Sequence, residues 1–345
     1  MVKRSKLLLL IVVSLCALMQ CSVVAQRANK NISYTKYDPN SSIITNDAWW
    51  KDNNGDTLVA SMGGHITKFK DTYYWIGNDQ RRKQNGYDLR LYSSKTLGSN
   101  SWKFETIVDN RPAGSLGNTN STILFCPTTN KYVVITKGIG FYQSKTNDIT
   151  SKYKFVKKIK NTELGHPEYH TGGMSAYYEG KDAYIIVSLR LKEGRDRYCG
   201  IWKLTPDFLS IEREIAFFPT ERNREAYWLF KKDNKYYMTY DGPGGWMASD
   251  CYYRTADGLA GPWSEENDII MDPEPDNKLM RSHASQSRWM MSFDGQWMYG
   301  GDRYPYIEPE SHPPSKGLYV WCPVIWNGDQ PIVKFEKQWS VKDYK

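Results

Sequence analysis

Hydrophobic and polar positions along this chain alternate in short runs, and the 3.6-residue period of amphipathic helices is nearly absent. The runs are rich in Tyr, Trp, Val and Ile and are bounded by Gly, Asn, Asp and Pro, which predicts an all-β protein. One unit recurs five times: a turn, then Lys or Gly, then an aromatic-rich strand. It reads Lys70-Asp71-Thr72-Tyr73-Tyr74-Trp75, then Asn130-Lys131-Tyr132-Val133, then Gly180-Lys181-Asp182-Ala183-Tyr184. The fourth and fifth copies are Asp233-Asn234-Lys235-Tyr236-Tyr237 and Asp294-Gly295-Gln296-Trp297-Met298.

With Tyr73, Tyr132, Tyr184, Tyr236 and Trp297 as anchors, the spacings are 59, 52, 52 and 61 residues. A unit of that size holds four short strands and their turns, which is one propeller blade. Five such units predict an all-β, five-bladed β-propeller over residues 26–345. Closure into a ring would bring loops from every blade to one axial funnel, where residues distant in sequence can meet.

The first 25 residues read as a targeting segment instead. Lys3, Arg4 and Lys6 precede an uninterrupted apolar run from Leu7 to Val13, and Val23-Val24-Ala25 offers small residues at a cleavage site. Export to the periplasm or the exterior is the expectation, since the apolar run is too short to span a bilayer. Lipid anchoring through Cys21 is the minority alternative. Loss of the segment removes three positive charges and lowers the formal charge from +8 to +5. That balance is mild and its basic residues are scattered, so nucleic acid is not an expected partner. Cys126, Cys199, Cys251 and Cys322 remain, with no C-x-x-C spacing that would suggest zinc or redox chemistry. Their state, disulfide or buried thiol, is open at this level. The five histidines form no H-E-x-x-H or His-x-His cluster, so no catalytic metal is expected.

Aromatic residues make up 14% of a chain that is otherwise polar. Sheet packing accounts for many of them, and flat apolar sugar faces would use others. Several segments resemble glycoside hydrolase family 43, especially its exo-β-1,3-galactanase branch. Gly63-Gly64-His65-Ile66 followed by Tyr73-Tyr74-Trp75-Ile76-Gly77 is similar to the first blade of that family. More specific is the order Arg224-Glu225-Ala226, then Lys235-Tyr236-Tyr237, then Gly245-Trp246, then Ala256-Asp257-Gly258-Leu259-Ala260-Gly261-Pro262-Trp263. Ser285-Gln286-Ser287, Gly301-Asp302-Arg303 and Tyr319-Val320-Trp321-Cys322-Pro323 complete it, so the resemblance runs from about residue 55 to residue 340.

The resemblance implies an inverting glycosidase with Glu225 as general acid. Such an acid protonates the departing glycosidic oxygen and so removes the charge that builds up on it. Gln286 matches the glutamine that the galactanase branch places where a base would stand; an amide is barely basic, so it holds either water or substrate. Where the family tunes its acid with an aspartate this chain has Gly173, and where the branch has a glutamate it has Thr119. Asp79, Asp241 and Asp302 are the candidates to supply a missing carboxylate. The expected sugar-binding set is Trp75, Trp228, Trp246, Arg281, His283, Arg303 and Asp302, with Trp49-Trp50 and Tyr227 as further aromatic candidates. Some family members hold calcium on the propeller axis, and nothing in this sequence demands it. The expected partner is an oligosaccharide or polysaccharide bound by a monomer. Two functions follow: exo-hydrolysis of galactan, arabinogalactan or arabinan side chains, or glycan binding by a propeller that has lost part of its acid set.

Overall fold

The computed structural model describes residues 32–82, 88–109, 119–221, 224–242, 245–275, 277 and 280–344. The expected targeting segment and Cys21 lie outside the described residues. Five antiparallel sheets follow one another along the chain. Blade one runs from the strand Ser61–Phe69 to the strand Lys103–Asp109, and blade two from Thr122–Cys126 to Tyr153–Lys158. Blade three runs from Tyr169–Glu179 to Ile211–Thr220, and blade four from Glu225–Lys232 to Asn267–Asp268. Blade five begins at Gln286–Phe293 and ends at Gln330–Lys334, with Ile270–Asp272 added in parallel at its outer edge. The first strands of successive blades pack against one another, and that of blade five packs on that of blade one. The result is the predicted five-bladed β-propeller.

The repeat read from sequence is the second strand of each blade. Tyr73, Tyr132, Tyr236 and Trp297 are the second residue of Thr72–Asn78, Lys131–Thr136, Lys235–Asp241 and Gln296–Asp302, and Tyr184 is the third of Asp182–Leu191. Each follows a tight turn that returns the chain from the innermost strand.

The ring is closed by aromatic packing rather than by a strand exchanged between its ends. Trp75 of blade one lies with its ring centroid 4.8 Å from that of Trp321 and 4.7 Å from that of Tyr319, both of blade five. Trp50 packs edge-on to Trp321 at 4.8 Å. Such ring pairs add roughly 0.5–1.5 kcal/mol each beyond their burial. The amide of Asn46 donates to the carbonyls of Trp321 and Glu336 at 2.8 Å, and the strand Ile44–Thr45 pairs with Gln338–Trp339, so segments before the first blade and after the last meet at this seam. Much of the aromatic excess in the composition is spent here. Among the described residues no helix is long and apolar enough to cross a membrane, and Cys126, Cys199, Cys251 and Cys322 are buried free thiols.

Candidate active site

The innermost strands of blades one, three, four and five each carry a bulge near their first residues. The register slips between Ser61 and His65, Thr171 and Met174, Glu225 and Trp228, and Ser287 and Trp289. A bulge bends its strand and re-aims the residues around it. In blade four the slip is accompanied by a left-handed conformation at Ala226, the residue after Glu225. The funnel-side end of each hairpin is thereby set by pairs: Ser61 with Asn78, Thr171 with Leu189, Glu225 with Asp241, and Gln286 with Asp302.

These rungs surround an axial cavity of about 140 Å³ lined by Asn120, Lys137, Gly173, Glu225, Ala226, Gly245, Trp246, Gln286 and Arg288. Glu225 is half-buried, and no side chain among the described residues pairs with it. Its neighbour Arg224 is committed elsewhere. That guanidinium makes a two-pronged bond to Glu266, at 2.9 and 2.6 Å, and covers the ring of Tyr252 at 3.9 Å. The Arg224 bridge anchors the entry to the strand and leaves Glu225 facing the cavity.

Asp241 is fully buried beside Glu225, and its two carboxyl oxygens have no hydrogen-bond partner. Burial and the charge of Glu225 push its carboxyl well above the usual carboxylate range, against the opposing influence of Arg288 and Gln286. This environment favours the protonated form of the Asp241 carboxyl. In blade five, Arg288 sits beneath Gln286. It donates to the Gln286 side-chain oxygen and, through Nε, to the Tyr304 hydroxyl at 2.8 Å. With that oxygen engaged, Gln286 offers its amide protons as donors. Asp302 accepts from the Gly63 amide at 3.1 Å and from the Tyr304 hydroxyl at 3.3 Å, and lies 3.6 Å from Arg288. Burial raises its carboxyl to about 6, with Arg288 and these hydrogen bonds holding it from rising further.

Trp246 stands at the mouth, edge-on to Tyr304 at 5.1 Å. Its carbonyl lies 2.6 Å from a ring nitrogen of the buried His312, whose other nitrogen is 2.9 Å from the Ala284 carbonyl, and this pins the loop. One indole face beside donors and a carboxyl suits a pyranose: stacking takes the C–H face and leaves hydroxyls to the polar groups.

Of the residues expected from sequence, the structure brings Glu225, Gln286 and Trp246 into the cavity and sets Asp302 directly behind it. The other expected sugar contacts are placed elsewhere. Trp75 is 1% exposed in the closure cluster. Trp228 is buried, donates to the Met290 carbonyl at 3.0 Å, and packs on His65. Arg281 pairs with Asp250 on the rim of a different cleft. His283 is packed against Phe335, and burial lowers its pKa to about 4. Arg303 has no exposed surface and is spent on Asp47 at 3.0 Å and on the carbonyls of Lys316, Tyr319 and His283. Trp49 and Trp50 likewise serve the fold, through the Pro314 carbonyl and the closure cluster, and Tyr227 is buried. Asp79 pairs with Arg81 and Arg90, at 2.6 and 3.0 Å, and is thereby separated from Asp241 and Asp302 as a candidate.

Asn120, Lys137, Arg288 and Tyr304 were not anticipated. Arg288 had a signal in its position two residues after Gln286, at the start of the same strand. The axial residues do not fit calcium: Arg288 brings a cation to the base of the cavity, and His65, its pKa lowered to about 3 by burial, accepts the Ile123 amide. Among the described residues no three His, Cys, Asp or Glu side chains are grouped to hold a metal.

No protein-family model matches the chain, and no curated protein does. Solved structures do. An exo-β-1,3-galactanase from Phanerochaete chrysosporium, solved with β-1,3-galactotriose, superposes with a TM-score of 0.72 at 19% identity, over 87% of this chain and 68% of its own. An exo-β-1,3-galactanase from Clostridium thermocellum gives 0.71 at 22% identity, over 86% and 66%. An α-L-arabinofuranosidase from the same organism gives 0.57 at 17%, over 79% and 93%. The chain thus has the five-bladed propeller fold of these galactanases and of the arabinofuranosidase.

Proposed function

We propose that this protein is an exported, exo-acting glycoside hydrolase of the family 43 type, acting on galactan or arabinogalactan side chains with Glu225 as its proton donor. The observation that carries the reading is the Glu225–Asp241 rung. A half-buried carboxyl, free of ion pairs, lines an axial cavity and is backed by a second, buried carboxyl that burial and the first one push upward. A general acid must hold its proton near the working pH and reach the leaving oxygen. In this reading Glu225 delivers the proton and Asp241 retains it between turnovers. Gln286 donates to a sugar hydroxyl, and Trp246 carries the ring. Likeness to galactanases, one solved with β-1,3-galactotriose, supports the galactan assignment. The arabinofuranosidase likeness keeps arabinose side chains within the same reading.

Incubation of the mature protein with β-1,3-galactan, arabinogalactan and arabinan tests this, with released sugar identified by chromatography. Galactose or arabinose release supports the reading and names the branch.

A second reading is favoured by one observation. Gly173 lines the cavity without a side chain, at the position where the family resemblance expects an acid-tuning aspartate. A glycan-binding propeller would hold oligosaccharides in the same cavity and release nothing.

A further inference from the structure

The cavity contains a cation that the proposed chemistry does not use. Lys137 follows the strand Lys131–Thr136 and is fixed by its backbone, whose N–H donates to the Thr119 carbonyl at 2.6 Å. It lines the same cavity as Gly173 and Glu225, and the charge of Glu225 acts on it. The ammonium makes no hydrogen bond or ion pair among the described residues.

The charged groups that act on it are Glu225, of opposite sign, and Arg288 and Arg197, of like sign. Arg197 has a buried Nε with no partner. Arg288 has Asp302 as its carboxylate partner at 3.6 Å, so Lys137 and Arg197 are left with Glu225, a carboxyl that the chemistry needs for itself. Burial, helped by the like charges of Arg288 and Arg197 and opposed by Glu225, pushes the Lys137 ammonium below its ordinary pKa. A buried cation with no hydrogen-bonded partner is costly and is retained where something supplies further opposite charge.

We propose that Lys137, supported by Arg197, is an anion-recognition subsite, and that the sugar taken into this cavity bears an acidic substituent. The chemistry is that of a carboxylate, as in a uronic acid, or of a sulfate ester. The inference rests on the glycan-cavity reading of the site but not on turnover. An ammonium is a compact point charge that accepts either anion, and in a site partly shielded from water its hydrogen bond to an anion is stronger than a neutral one. Gly173 brings no side chain of its own to the cavity, and the Asn120 side-chain amide, 3.8 Å from a Cβ built there, is a further donor to an anion in that space.

Titration calorimetry of the full chain with D-galacturonate, D-glucuronate, galactose 6-sulfate and galactose tests the proposal. At low salt at least one acidic sugar is expected to bind ten-fold or more tightly than galactose, with the advantage shrinking as salt rises. The better of the uronates and the sulfate identifies the source of the anion. Lys137→Met should abolish the preference and Lys137→Arg should restore much of it; the salt titration of the wild type stands even if the Met variant fails to fold. Equal or tighter binding of galactose, no binding of any acidic sugar, or a preference that survives Lys137→Met overturns the proposal. Release of sugar from neutral β-1,3-galactan is measured separately. Its absence alongside selective binding of acidic sugars would sink the hydrolase reading and leave this subsite standing, and the converse pattern would do the reverse.

Discussion

Glu225 and Asp241 face each other as directly paired residues at the funnel end of blade four, one half-open to the axial cavity and the other sealed from water. Two carboxyl groups in that relation do not both ionise readily, because the second charge would be created in a dry site beside the first. Burial is the larger cause of the raised Asp241 carboxyl, and Glu225 the next. A carboxyl raised in this way keeps its proton as pH climbs through the range where free carboxyls have lost theirs. The Asp241→Asn variant removes that stored proton. Its kcat/KM should fall about ten- to a hundred-fold at neutral pH, and the basic limb of the pH profile should move to lower pH. A full pH–rate profile checks this, and an unmoved basic limb would show that Asp241 has no part in proton supply.

Gly173 is a vacancy that can be filled. A Cβ built there would meet the Ala226 nitrogen at 3.5 Å and the Asn120 side-chain amide at 3.8 Å, ordinary van der Waals contact. Gly173→Asp should therefore fold, with Tm within a few degrees of the parent. A carboxyl there would stand in the same cavity as Lys137 and supply the tuning acid that the family resemblance expects. Hydrolysis of neutral galactan is expected to rise several-fold, while any preference for acidic sugars falls. Kinetics on the neutral glycan decide it; a loss of turnover with the fold intact would count against Gly173 as the missing acid position.

Two tryptophans should separate stability from binding. Trp75 fills the seam between the first and last blades, so Trp75→Ala should cost about 3–5 kcal/mol of stability through the cavity it leaves. Trp246 lies at the cavity mouth, and Trp246→Ala should leave Tm nearly unchanged while raising KM or glycan Kd about ten-fold, on the order of the energy of one ring contact. Thermal melts and glycan titrations of both variants report the two effects independently.

The fold was legible because the same local signal, a turn and then an aromatic strand, had to be repeated once per blade. The site was legible only in part. Glu225, Gln286 and Trp246 stand in segments with motif order around them, but so do Trp75 and Arg303, and these, like His283, are residue types that suit sugar binding and structure equally well. Burial and partners separate those roles, and both are set by distant segments: Arg303 is consumed by Asp47, some 250 residues earlier in the chain. One signal within the repeat would have ranked the carboxylates. Counting five residues on from each anchor gives Asn78, Lys137, Leu189, Asp241 and Asp302, the end of the second strand where it meets the funnel. Asp79 is one residue further along, where its side chain turns away from the face that Asn78 occupies. Lys137, unremarkable by motif, is marked by the same count.

The most direct test of the account is the leaving-group dependence of Glu225→Gln. A general acid matters in proportion to how poor the leaving group is, so proton donation is essential for a sugar alkoxide and nearly dispensable for 2,4-dinitrophenolate. The account predicts that Glu225→Gln loses roughly 10²–10⁴-fold in kcat on β-1,3-galacto-oligosaccharides and keeps most of the parent rate on the dinitrophenyl galactoside. An equal loss on both substrates, or full activity of the variant on the oligosaccharide, would contradict the assignment of Glu225 as the acid.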